Sequence, residues 1–187
     1  NRNKMGCPVN FTGLQVSYAC GDIASGGLKA VHLVDKADLL ANGSLTVANG
    51  AATISGTGLV TDGCEVLTLG FNNKDAFSNF TDVKTVNADG SASVVPTIAL
   101  EFLRMDSTKR NALEEIATPG AEIVAFVETA AGTCHVVGYD FGLYAGTVDG
   151  ASGAARTDKN RYQLTLVGEE NVLAYTMTSA EFAKVVL

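Results

Sequence analysis

Tryptophan is absent from the 187 residues, proline occurs three times, cysteine four times and histidine twice. Each shortage removes a class of explanation. A carbohydrate-recognition surface favours an exposed aromatic cluster, but here there is no Trp and the eight Phe fall mostly on alternating strand faces. Cys7, Cys20, Cys64 and Cys134 contain no C-x-x-C pair that would seat a metal. Cys134 and His135 are adjacent, and neighbours on a strand point to opposite faces, so they do not make a nucleophile–base pair. The even count permits a Cys7–Cys20 bridge, but a chain of this length does not need one. Free thiols in a reducing cytoplasm are the expectation.

Charge is scarce as well. Only 18% of residues are charged, where about 25% is usual. Thirteen basic residues against 20 acidic ones give a net charge of −7 and a pI near 4.7. An acidic chain with scattered Lys and Arg lacks the basic stripe that neutralises nucleic-acid phosphates. No run approaches the roughly 18 apolar residues of a membrane span, and Asn1–Asn10 has no apolar centre of a secretory leader. No membrane anchoring is therefore expected, and the three Asn-x-Ser/Thr triplets, at Asn10, Asn42 and Asn79, read as chance. A surface so poor in solubilising charge points to area reserved for an interface.

What is present is alternation. From Ala92 to Phe102 the even positions are Ala, Val, Pro, Ile, Leu and Phe, while Ser91, Ser93, Thr97 and Glu101 occupy the other face. Pro96 cannot donate to a ladder, which places it at an edge or a bulge, and an exposed edge invites pairing with another chain. Further extended runs are Leu28–Val34, Glu65–Phe71, Phe77–Val86, Thr133–Tyr139 and Arg161–Val167. Asn49-Gly50, between Ser44–Val47 and Ala51–Ile54, marks a tight hairpin, as does Asp89-Gly90. Ala121–Glu128 is apolar on both faces, the pattern of a central strand covered on two sides.

Asp35–Leu40 suits one helical turn or a loop, and Gly146–Thr157, rich in small residues, reads as a loop. One helix is expected over 106–117, opened by Asp106 or Ser107 and stopped by Thr118-Pro119-Gly120. Thr178-x-x-Glu181 resembles a capping box opening a short C-terminal helix through Val186. The segment 1–27 has no clear period and reads as an extended arm of one domain spanning 1–187. Many short strands and one middle helix predict a mainly β fold, a two-sheet sandwich or barrel.

Catalytic constellations are missing from the pattern. There is no G-x-S-x-G, H-E-x-x-H, G-x-x-x-x-G-K-[ST] or G-x-G-x-x-G. Glu114-Glu115 and Glu169-Glu170 read as solvated pairs. A non-enzymatic protein without cofactor or metal is expected. A thiol enzyme using Cys64 or Cys134 is the competing reading, and it requires a lowered thiol pKa.

Four segments taken in order carry a resemblance: Phe71–Phe80, Ser91–Phe102, Met105–Leu113 and Asp158–Glu170, with Cys20–Lys29 ahead of them. Together they resemble the tail tube (major tail) proteins of tailed bacteriophages, particularly those infecting Bacteroidota. The resemblance implies a two-sheet β sandwich or barrel with one flanking helix. It also implies hexameric rings whose inner sheets join into a β-lined channel, and stacking of those rings into a tube for genome delivery. The implied partners are further copies of the chain and other tail proteins, with DNA transiting unbound. The implied place is the virion, after assembly in the host cytoplasm. An acidic or neutral wall would not trap phosphates. The resemblance also implies a loop or terminal arm that bridges neighbouring rings, for which the arm Asn1–Gly27 and the region Ala37–Gly63 are both candidates. Val95 and Pro96, at the expected edge, and Asn42 and Gly43, in the second of these regions, are the candidate assembly residues. Other virion components, such as a tail terminator or a decoration protein, share the implied fold, and a stand-alone β-sandwich binding module is the reading outside that class.

Overall fold

The computed structural model describes residues 26–72, 77–155 and 157–187. The expected arm, with Cys7 and Cys20, therefore lies almost wholly outside the described residues. Among the described residues, eleven strands and three short helices follow one another. They are β1 (Leu28–Asp35), α1 (Lys36–Asn42), β2 (Leu45–Ala48), β3 (Ala51–Ile54), β4 (Val66–Thr68), β5 (Asn79–Val86) and β6 (Ala92–Leu103). Then come α2 (Ser107–Ile116), β7 (Ile123–Thr129), β8 (Cys134–Val137), β9 (Leu143–Ala151), β10 (Arg161–Gly168), β11 (Tyr175–Met177) and α3 (Ser179–Ala183), with a 3₁₀ turn over Lys184–Val186. The fold is mainly β, one large mixed sheet that does not close.

Local chemistry explains most of these elements. Asn49 and Gly50 sit at φ 53° and 80°, the left-handed pair that a two-residue hairpin turn between β2 and β3 requires. Asp35 caps α1 by accepting from the N–H groups of Ala37 and Asp38, and Asp106 caps α2 by accepting from Lys109 N–H. The C-terminal capping box is half formed. Thr178 Oγ1 accepts from Glu181 N–H, but the Glu181 carboxylate reaches away to Ile54 N–H and Lys184 Nζ, at 2.7 and 2.9 Å. Glu181 thus ties the end of the described chain to β3 rather than closing its own helix.

The strands fall along the order β2-β3-β11-β8-β7-β9-β10-β6-β5, with β1 on the other edge of β7 and β4 beyond β1. A single bridge, Ile123–Leu143, links β7 to β9. Everything from β9 to β5 is thereby a four-stranded antiparallel segment joined to the rest at one corner. Its inner face and one face of β1–β7–β8 share a core with α2. That core holds Val31, Leu33, Ile98, Leu100, Leu113, Ile116, Ala125, Val127, Leu164 and Leu166. The opposite face of β1–β7–β8 builds a second core with α1, β3 and α3, through Val124, Phe126, Val136, Leu39, Ile54 and Phe182. The two-sided apolarity of 121–128 has this cause: odd positions of β7 enter one core and even positions the other.

Two expectations are corrected. The run from Gly146 is not a loop until after Ala151: β9 pairs with β10 from Arg161–Ala151 to Gly168–Leu143. Its poor strand formers are held by that neighbour's ladder rather than by their own propensity. Pro96 is not at a sheet edge either, because β6 has β5 on one side and β10 on the other. Val94 exchanges both backbone hydrogen bonds with Glu170, so even residues of β6 direct their N–H toward β10. At Pro96 that donor does not exist, and the β6–β10 ladder is interrupted between Thr97–Val167 and Val94–Glu170. The proline is tolerated inside the sheet because the ladder skips at its position.

Candidate functional site: an open four-stranded wall

The segment β5-β6-β10-β9 has one face in the core and one face outward. From Val94 along β6, and along β10 with Tyr162 half-buried, the even residues turn to the core and the odd residues turn outward, Ala99 and Glu101 being buried nonetheless. The outward face is rich in hydroxyl groups: Thr81, Thr85, Ser93, Thr97, Thr147 and Thr165 occupy matching registers. Its charged positions are Glu101, Arg161 and Asp149, and two of these neutralise each other. A register shift in β9 between the partners of Thr165 and Leu166 puts Gly146 out of step and turns Tyr144 outward.

Glu101 is fully buried although it belongs to the outward set. The passage containing Asn72 and Ser78 covers it: Asn72 N–H donates to Glu101 O at 2.7 Å, and Glu101 N–H donates to Ser78 Oγ at 3.1 Å. Its carboxylate accepts from Asn72 Nδ2 at 3.0 Å. Lys159 Nζ and Arg161 Nη1 each reach it at 3.1 Å. Gln163, with its amide turned so that the oxygen faces the guanidinium, accepts from Arg161 Nε at 3.2 Å. Burial alone would raise the Glu101 pKa, but the hydrogen bonds from Asn72 and Lys159 and the charges of Lys159 and Arg161 outweigh it. The carboxyl is held below its ordinary range. Glu101 and, 58 and 60 residues further on, Lys159 and Arg161 thus form one ion-paired node where β6 and β10 meet.

Both lateral edges of this segment are open among the described residues. β5 pairs only with β6, and β9 beyond the Leu143 corner pairs only with β10. Because even residues of β6 face β10, its odd residues bond to the odd residues of β5. Lys84 and Val86 therefore turn their backbone N–H and C=O outward, and on β9 the same argument turns Val148 and Gly150 outward. The flanking side chains Val83, Val86 and Val148 are exposed at 56, 68 and 41%, an apolar lining that a solvated edge does not need.

The four candidate assembly residues are not brought together. Val95 lies on the outward face, opposite Val83, so it belongs to the wall and not to its edge. Pro96 is buried beneath it. Asn42 and Gly43 end α1, near the far end of the strand order. Asn42 Nδ2 donates to Asp38 Oδ1 and Gly43 N–H to Leu39 O, and a Cβ at Gly43 would collide with Leu39 O. Their evident role is to terminate a helix. The open edge was missed because β5 carries no sequence mark of being last; only its pairing shows it.

Catalytic chemistry finds little to work with. Cys64 and Cys134 are buried and unpaired, and burial first, then nearby carboxylates, push both thiols up. That is opposite to what a thiol nucleophile needs. No group of three or more His, Cys, Asp or Glu among the described residues is placed to hold a metal. No helix among the described residues is long and apolar enough to cross a membrane. Glu170, expected in a solvated turn, is instead buried and accepts from Phe141 N–H at 3.2 Å. Its burial, with Asp140 nearby, raises its pKa. No family model, curated protein or solved structure matches the chain.

Proposed function

We propose that this chain is the subunit of a self-assembling tube, the tail tube of a bacteriophage. In this reading copies join through β5 and β9 into closed hexameric rings, and stacked rings give a conduit for the genome. It includes the finer fold assignment, two sheets packed face to face in the tail-tube manner, and places the protein in the virion.

The observation that carries it is the pair of open edges on a four-stranded antiparallel segment. With four strands alternating in direction, β5 of one copy and β9 of the next run antiparallel when the copies are related by a rotation. The alternation then continues unbroken from copy to copy. Head-to-tail contacts of that kind close into rings, and closure removes edges that would otherwise aggregate. The outward face supports the same reading. Its hydroxyls dominate, and Lys159 and Arg161 are tied to the buried Glu101, so it presents DNA with neither a dense cationic trap nor a strongly repulsive surface.

The test is negative-stain imaging of the purified protein over a concentration series, with and without a tail initiator complex. Rings or tubes with an axial hole are expected. Lys84→Pro removes an outward N–H without touching the β5–β6 ladder, so it should leave a folded subunit that forms no rings. A protein that stays monomeric under every condition, or a Lys84→Pro variant that assembles like the parent, overturns the reading.

A further inference from the structure

The core side of the four-stranded wall is not covered out to its margins. On β9, Val148 stands directly opposite the fully buried Leu164. Its side chain therefore points to the core side, yet it is 41% exposed. Gly150, opposite Tyr162, brings no side chain to that side at all. Between these residues and α2 runs a groove of about 350 Å³. Leu113 of α2 and Ala117 just after it form one flank, and Val148, Gly150 and Tyr162 form the other. Its charged side chains, Arg110 and Glu114, are exposed and pair with each other at 3.4 Å, which leaves the interior apolar.

β5 has the reverse shape. Lys84 and Val86 lie opposite Val94 and Ala92, so their side chains also point to the core side. Val94 is fully buried, but Lys84 and Val86 are exposed. At β5, then, two side chains overhang without cover among the described residues. At β9 a hollow has a floor and too little to fill it.

Backbone parity decides whether one can meet the other. On both edges the N–H and C=O groups that point away from the wall belong to core-facing residues: Lys84 and Val86 on β5, Val148 and Gly150 on β9. In an antiparallel pair, residues that exchange hydrogen bonds stand opposite each other with their side chains on one face. A β5 edge that docks on β9 thus keeps core side with core side and carries its overhanging side chains over the groove. An edge of the other parity would turn the wall inside out at every junction.

We infer that the groove between β9 and α2 is the seat of Lys84 and Val86 of a second copy. The inference rests on the tube reading, which joins β5 to β9 through the backbone, and adds the side-chain socket that α2 brings to the joint. Val86 packs on Val148 and the Tyr162 ring. Lys84 lays its aliphatic stem on the floor and keeps its ammonium in water at the rim. Backbone pairing alone accepts almost any strand; the socket is what makes the joint specific for this one.

The experiment fills the socket in one variant and empties it in another. Ala117→Trp occupies the groove, and Lys84→Ala with Val86→Ala removes what enters it. Each variant should need about tenfold or more protein to form rings. Mixed in equal amounts they should assemble like the parent. An alternating ring pairs every filled groove with a shaved strand and every native groove with a native strand, a rescue that misfolding does not produce. Circular dichroism verifies folding, and the exposed positions 84 and 86 keep the test decisive even where Ala117→Trp disturbs α2. Negative-stain imaging and sedimentation velocity read the assembly.

Variants that form rings at the parent's concentration, or a mixture no better than its components, overturn the inference and leave the tube reading standing. Parent protein that forms no rings overturns the tube reading instead. Sedimentation then decides the inference: head-to-tail association present in the parent and lost in both variants supports it. Association that is absent from the parent, or unchanged in the variants, overturns it.

Discussion

Substituting Glu101→Gln removes one negative charge and leaves the side-chain shape almost unchanged. In the folded protein that charge is buried and answers Lys159 and Arg161, each at 3.1 Å. Removing one partner of a fully buried ion pair costs about 3–5 kcal/mol. Here the cations keep 40 and 33% of their side chains in solvent, and water screens what the glutamine no longer neutralises. The expected loss is therefore about 2–3 kcal/mol, which lowers Tm by about 5–10 °C for a chain of this size. The pH dependence supplies a second, independent readout. The Glu101 pKa is lowered on folding, so its contribution is complete above the unfolded value of about 4.3 and is lost as pH falls through the lower folded value. The gap between parent and variant should be widest at neutral pH and should narrow as pH falls below the unfolded value of about 4.3. Thermal melts followed by circular dichroism across that range measure it. A variant as stable as the parent at pH 7, or a gap that does not narrow in acid, refutes the reasoning that the node is held by charge.

Glu170 should behave in the opposite sense. Its pKa is raised by burial and by Asp140, so the stability it contributes is complete below about pH 4.3 and is lost as pH rises through the folded value. Glu170→Gln keeps an acceptor for Phe141 N–H and should raise Tm by about 2–6 °C at pH 8, with no gain near pH 4; melting at the two pH values checks this. Phe126 is fully buried in the middle strand of the second core. Phe126→Ala should cost about 3–5 kcal/mol, and urea titration should show a lower midpoint or no folded baseline.

Regularity was legible; partnership was not. The alternation of 92–102 gave β6 almost to the residue, and Asp106 with Thr118-Pro119-Gly120 bounded α2, because each signal is local. The two-faced pattern of Ala121–Glu128 correctly placed β7 between two cores. β9 escaped notice because Gly146, Gly150 and Ala151 have no strand preference of their own, and what makes them a strand is β10. Glu101 looked like any outward polar residue of an alternating strand. Its burial depends on Asn72, Lys159 and Arg161, each distant in sequence. The general rule that proline avoids paired strands points Pro96 to an edge or a bulge. The rule holds for the bond and not for the strand: one missing N–H was met by one skipped rung.

The register shift in β9 at Gly146 has a meaning at a scale larger than the subunit. An extra residue bends and twists the strand that carries it, and in a single copy that bend is a local detail of one wall. In an assembly that pairs β9 with β5 of the next copy, the same bend is applied once per subunit around the circumference. Closure demands that these turns sum to one revolution. In the proposed tube, the diameter of the channel would then be written into the backbone geometry of a few residues around Gly146, as a copy number rather than a length.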